Sequence, residues 1–105
     1  MNSPAPEANI EIVDVPEASQ FEIRLDGTRV GFMDYAIRGD TFTAIHTEID
    51  PAYGGHGLGE RLVRHVLDMV RDTGMALRPA CPFVKAFLQK HPEYDDLVAA
   101  KKGSG

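Results

Sequence analysis

Four glycines fall within six positions of Gly54-Gly55-His56-Gly57-Leu58-Gly59, the stretch most suited to bind a ligand through its backbone. Glycine carries no Cβ, so a chain rich in it can approach a bulky anion closely. A helical periodicity begins at Leu58. The first amides of a helix lack intrahelical acceptors, and with the helix dipole they favour negative charge. The amides around positions 55–60 are therefore a candidate pyrophosphate cradle, and a tight connection that uses glycine only to turn is the competing reading. Two further groups carry potential chemistry. Cys81, the chain's single cysteine, stands between Ala80 and Pro82 where a second helix is predicted to begin. Helix amides at such a junction stabilise a thiolate, whereas a small buried side chain beside Phe83 is the alternative. His46 is the candidate general base, with Glu48 two residues on, and an ordinary packed sheet histidine is nearly as good a reading.

Other phosphate and metal chemistries are disfavoured by spacing. A P-loop ends in Gly-Lys-Ser/Thr, but Gly59 is followed by Glu60-Arg61. A dinucleotide fingerprint opens a βαβ unit with Gly-x-Gly-x-x-Gly, and the spacing here is Gly55-x-Gly57-x-Gly59. His46, His56, His65 and His91 form neither HxH nor HExxH, so no metal is expected. His65 reads as a helix-surface or packing residue.

The elements that position these groups follow from period and punctuation. Residues 10–13, 21–25, 29–38 and 41–49 have strand character, with turns at Asp26-Gly27 and Gly39-Asp40, which predicts an antiparallel meander. Regular alternation along the fourth strand sets Ala44, His46 and Glu48 on one face and Ile45, Thr47 and Ile49 on the other. Pro51 breaks that strand. Leu58, Leu62, Val63, Val66, Leu67 and Val70 then recur at helical spacing, ending near Gly74 in a left-handed C-cap. Residues 75–79 read as a short strand returning parallel to its neighbour. Pro82 opens a second helix, with Phe83, Val84, Phe87 and Leu88 as its apolar stripe, ending before His91-Pro92. The expected fold class is α+β: a meander, a helix, a short parallel strand and a C-terminal helix.

Composition narrows the function classes. With 105 residues and 43% apolar content, the chain is sized for a single domain, expected over 10–98 with a flexible leader at 1–9 and a flexible tail at 99–105. A net charge of -5 disfavours sequence-independent binding to nucleic acid. No apolar run is long enough to cross a bilayer, and Met1 to Asn9 lacks the pattern of a signal peptide, so a cytoplasmic monomer is the default expectation.

Four ordered blocks extend the reading. His46-Thr47-Glu48, Gly55-His56-Gly57, Pro79-Ala80-Cys81-Pro82-Phe83 and His91-Pro92-Glu93-Tyr94 resemble the small single-domain subfamily of the GCN5-related N-acetyltransferase superfamily. The resemblance covers most of residues 29–98 and implies an acyl-coenzyme A N-acyltransferase fold. It also implies acetyl-coenzyme A as cosubstrate, with its pyrophosphate on the helix N-terminus and its pantetheine arm between splayed strands. The implied contacts are Ile49, Gly55, His56, Gly57, Leu58, Gly59, Glu60, Cys81 and Phe83. By the same resemblance the acetyl group passes to an unidentified amine, either directly or through acetyl-Cys81; His46, read from its place on the strand, is the candidate base for this transfer. A noncatalytic acyl-coenzyme A sensor and a weak acetyl-coenzyme A hydrolase are the alternatives. One departure is Gly54, where the superfamily usually carries Gln or Arg. Glu60 also adds negative charge near the expected anion.

Overall fold

A computed structural model describes residues 9–98, so the expected tail and all but the last residue of the expected leader lie outside the described residues. Five strands form one sheet in the order β1 (Ile10–Val15), β2 (Gln20–Leu25), β3 (Thr28–Arg38), β4 (Thr41–Ile49) and β5 (Ala76–Pro79). The first four pair antiparallel, as the turn residues require, and β5 pairs parallel with β4 after the intervening helix α1 (Leu58–Thr73). A second helix, α2 (Pro82–Lys90), and a 3-10 segment, Pro92–Leu97, follow toward the end of the described residues.

The alternation in β2 is regular, with Phe21, Ile23 and Leu25 all buried. They meet Met33 and Tyr35 of β3, Phe42 and Ala44 of β4, and Leu77 of β5 on one face of the sheet. The helices cover that face. From α1 the residues Leu62, Val63, Val66, Leu67 and Val70 are buried there, each contributing about 1.5–3 kcal/mol when fully removed from water. Val84, Phe87 and Leu88 of α2 enter the same core, joined by Tyr94 and Leu97. Phe83 does not follow its predicted stripe. It remains 39% exposed because its ring lies over the start of α1 rather than under α2.

One irregularity in β4 governs the site. Asp34 pairs with His46 and Tyr35 with Ala44, leaving Ile45 as an extra residue in a β-bulge. The bulge corrects the expected alternation. Ala44 and Thr47 are buried on the helix side, whereas Ile45, His46 and Glu48 are exposed.

Candidate functional site

Beyond the bulge β4 loses its neighbour. β5 pairs only with Thr41 to Ala44, the last link being the Ala80 amide to the Ala44 carbonyl at 3.0 Å, after which the chain turns into α2 at Cys81. On the other side the Asp50 amide donates to the Val30 carbonyl at 2.8 Å. Residues 46, 48 and 50 therefore bond toward β3, and the antiparallel ladder turns the main-chain groups of Thr47 and Ile49 toward the open side. The result is a splayed strand pair with a free polar edge.

That edge leads to the glycine turn. Asp50 accepts from the Ala52 amide at 2.9 Å, which sets the Pro51–Tyr53 turn, and the chain then reaches α1 through Gly55 and Gly57. Gly55 and Gly57 have φ values of 83° and 72°, a region L side chains rarely adopt, and a Cβ at either would point into open space. Gly57 is the N-cap of α1 and offers no side-chain cap. The first intrahelical bond is from the Arg61 amide to the Gly57 carbonyl at 3.1 Å, so the amides of Leu58, Gly59 and Glu60 lack acceptors within the helix. They border a cavity of about 250 Å³ lined by Ile49, Tyr53, Gly54, Gly55, Gly57, Leu58, Gly59, Glu60 and Phe83.

Seven expected contacts thus share one cavity: Ile49, Gly55, Gly57, Leu58, Gly59, Glu60 and Phe83. His56, on the exposed turn, and Cys81 are not among its walls. Tyr53 joins the walls without having been expected, although its place just before the glycines was a usable signal. Gly59 has a packing role, because a Cβ there would collide with the Phe83 ring, whose Cε atoms would be 3.1 Å away. Glu60 turns its carboxylate toward α2, 3.3 Å from Lys90 Nζ and 3.9 Å from His91 Nε2. Its negative charge is in part offset by that lysine.

Cys81 and His46 are separated by the sheet. Cys81 is 1% exposed, and its Sγ donates to Thr47 Oγ1 at 3.4 Å. It is also the N-cap residue of α2. His46 stands on the opposite face, 53% exposed, with Nε2 3.2 Å from Glu48 Oε1 and its ring 5.9 Å from that of Phe32. Thr47 and Phe32 were missed by sequence reasoning, since both contacts depend on the bulge or on pairing across strands. Among the described residues no group of three His, Cys, Asp or Glu is placed to hold a metal ion, and no helix is long and apolar enough to cross a membrane.

The block around His91-Pro92-Glu93-Tyr94 anchors the C-terminal segment to α1. Tyr94 is buried and donates to Asp68 Oδ1 at 2.7 Å, while Arg64 Nη1 donates to its hydroxyl at 3.3 Å. Burial and then the hydrogen bond to Asp68 raise the Tyr94 pKa, with Arg64 acting in the opposite direction. Arg64 also lies 3.7 Å from Glu93 Oε2, so it ties two elements together rather than standing free on the helix surface.

A splayed parallel strand pair beside a glycine-opened helix defines a compact α+β domain of the N-acyltransferase type. Residues 20–97 match the family described as GCN5-related N-acetyl-transferase, and the chain belongs to that family. It is 25% identical to a GCN5-like protein from Staphylococcus aureus known from a solution structure, with a TM-score of 0.68 over 86% of this chain and 88% of that one. Protein NATD1 of Xenopus tropicalis is 22% identical over 94 residues, covering 88% of this chain and 86% of the relative. The PaiA N-acetyltransferase of Thermoplasma acidophilum, solved in complex with coenzyme A, shares the fold at 18% identity and a TM-score of 0.52, over 57% of this chain and 38% of that one.

Proposed function

We propose that this chain transfers the acetyl group of acetyl-coenzyme A to an amine. The observation that carries the reading is the convergence on one cavity of the unbonded amides of Leu58, Gly59 and Glu60 and of Ile49 at the free edge of β4. The residues present suit the cosubstrate: helix-start amides for a pyrophosphate, a cavity open above Gly55 and Gly57, and strand amides for the amide groups of a pantetheine arm. Coenzyme binding to the PaiA protein of the same fold supports this assignment.

Direct transfer is the mechanism the geometry supports better. The amine nitrogen forms the new C–N bond at the thioester carbonyl, and the C–S bond breaks to release the thiolate. His46, exposed and braced by Glu48, takes the proton that the amine loses. Amides along the open edge of β4 are suitably oriented to receive developing negative charge on the carbonyl oxygen. Transfer through acetyl-Cys81 is the second reading, favoured by the position of the Cys81 thiol at the N-cap of α2, although its side chain makes no capping hydrogen bond there. Its burial and its bond to Thr47 weigh against that route.

Titration calorimetry with acetyl-coenzyme A, followed by a thiol-release assay with a panel of amines, tests the reading. Saturable binding with amine-dependent release of coenzyme A is expected, while binding without turnover would identify an acyl-coenzyme A sensor. Intact-protein mass measurement after brief exposure to acetyl-coenzyme A separates the two routes. An acetyl adduct that disappears in Cys81→Ala would establish the covalent one.

A further inference from the structure

We infer that the acceptor is a dication, an amine carrying a second positive charge that is held over Phe32 beside the carboxylate of Glu48. This inference rests on the acetyl-transfer reading and adds the substrate class.

The register builds the seat. On the face of the sheet away from the helices, Phe32 pairs with Glu22 of β2 on one side and with Glu48 of β4 on the other. The adjoining row is Gln20, Asp34 and His46. An aromatic ring thus has Glu48 on one side and Glu22, already paired with Arg24 at 2.8 Å, on the other, with Asp34 two residues along β3. Ring faces attract cations, and neighbouring carboxylates reinforce that attraction. A cation from the chain already occupies this position: the Arg29 guanidinium lies 4.6 Å from the Phe32 centroid and 3.3 Å from Glu22 Oε2. Arg29 is 45% exposed and Glu22 is held as well by Arg24 at 2.8 Å, so Arg29 can swing off the ring while Glu22 keeps a cation.

The seat adjoins the proposed reaction centre. A cleft of about 350 Å³, whose walls include Arg29, Phe32, Glu48, Asp50 and Pro51, lies along the end of β4. Ile49, between Glu48 and Asp50, lines the proposed coenzyme cavity instead. The two cavities therefore back onto the same strand end. Among the described residues Glu48 has His46 as its ion-pair partner and no lysine or arginine. The Phe32 and His46 rings are 5.9 Å apart, so an amine at His46 with a cation over Phe32 corresponds to nitrogens separated by a chain of roughly four methylenes. A net charge of -5 further favours the approach of a dication over that of an anionic acceptor.

The test compares 1,4-diaminobutane with n-butylamine, which has the same carbon chain and one nitrogen. Coenzyme A binding is first established by calorimetry. Amide shift mapping with coenzyme A bound should then show 1,4-diaminobutane perturbing Phe32, His46 and Glu48, with n-butylamine much weaker. In the thiol-release assay kcat/KM should favour the diamine by roughly 2- to 30-fold, the range of one cation–aromatic contact. Phe32→Leu and Glu48→Gln should each collapse that ratio, and Arg29→Ala should lower the KM for the diamine by vacating the ring. Equal kcat/KM for the two amines, or no diamine shifts on this face while the coenzyme binds, would overturn the dication seat and leave acetyl transfer standing. Absence of coenzyme binding would overturn both.

Discussion

Gly57 and Gly74 flank α1 and allow backbone strain to be separated from ligand approach. Their φ values are 72° and 79°, and a Cβ added to either meets nothing within 4 Å. Gly57→Ala and Gly74→Ala should therefore lose similar stability, roughly 1–2 kcal/mol for a left-handed alanine. For a domain of this size that corresponds to a fall in Tm of about 4–16 °C, measurable by circular dichroism. Their effects on acetyl-coenzyme A should differ. The Gly57 methyl would project into the space before the Leu58, Gly59 and Glu60 amides, while Gly74 lies at the far end of the helix. Losing one charge-assisted hydrogen bond there costs about 1.5–3 kcal/mol, or roughly 10- to 100-fold in Kd by calorimetry. Gly74→Ala should bind like the parent once folded. Equal affinities for the two variants would refute the close backbone approach, whatever their melting temperatures.

Gly59→Ala should drive the Phe83 ring outward by about 1 Å toward ordinary contact distance. Because the ring is partly exposed and alanine favours helix, the net stability loss should stay within about 1 kcal/mol, and Phe83→Ala in the same chain should abolish it in a double-mutant cycle. The Tyr35 pKa is pushed up to about 12, first by burial and then by its hydrogen bond to Asp14. The folded state thus holds a proton that the unfolded chain releases near its ordinary value, so stability is intact below about pH 10 and falls as pH rises toward 12. Tyr35→Phe should make that alkaline decline shallower in thermal melts, with Tyr94 contributing a residual decline of the same sign. Thr47→Val removes the acceptor of a weak thiol donor, so urea unfolding should shift by less than about 1 kcal/mol; a loss of 3 kcal/mol or more would show a larger role for Thr47.

The fold was legible because its signals are local. Alternation marks β2, the 3.6-residue period marks α1, and Asp26-Gly27, Gly39-Asp40 and Gly74 punctuate the chain where the structure turns. The glycine turn was equally legible as a candidate site, because its chemistry resides in consecutive amides. The relation between Cys81 and His46 was not. A bulge adds one residue without a residue-type signature, and a single insertion reverses the facing of everything after it. Regular alternation therefore set His46 with Ala44, whereas the extra Ile45 sends His46 to the open face and brings Thr47 beneath Cys81. Phe83 was misjudged for a different reason. Helical spacing identifies a stripe but cannot show that α1 crosses close enough for a ring to rest on Gly59.

The bulge itself is open to a direct test, since deletion of Ile45 should make β4 regular without changing which residues face the core. Ala44 would remain buried, His46 would follow it outward and Thr47 would return inward, in the pairing they already have with Tyr35, Asp34 and Met33. The side chain lost is 46% exposed, so little packing disappears, and one continuous ladder hydrogen bond would contribute about 1 kcal/mol in return. The variant should fold, with a Tm within about 8 °C of the parent. What changes is the departure of β4 from β5. A straighter strand gives the residues after Ala44 access to the partner that the bulge turns them from, and the open edge that faces Ile49 and the α1 amides closes. Acetyl-coenzyme A binding should therefore fall by more than tenfold in a chain that remains folded. Parent-like affinity in the folded deletion variant would show that the strand pair splays for another reason, such as the turn into α2 at Cys81-Pro82, and would dissociate the bulge from the site.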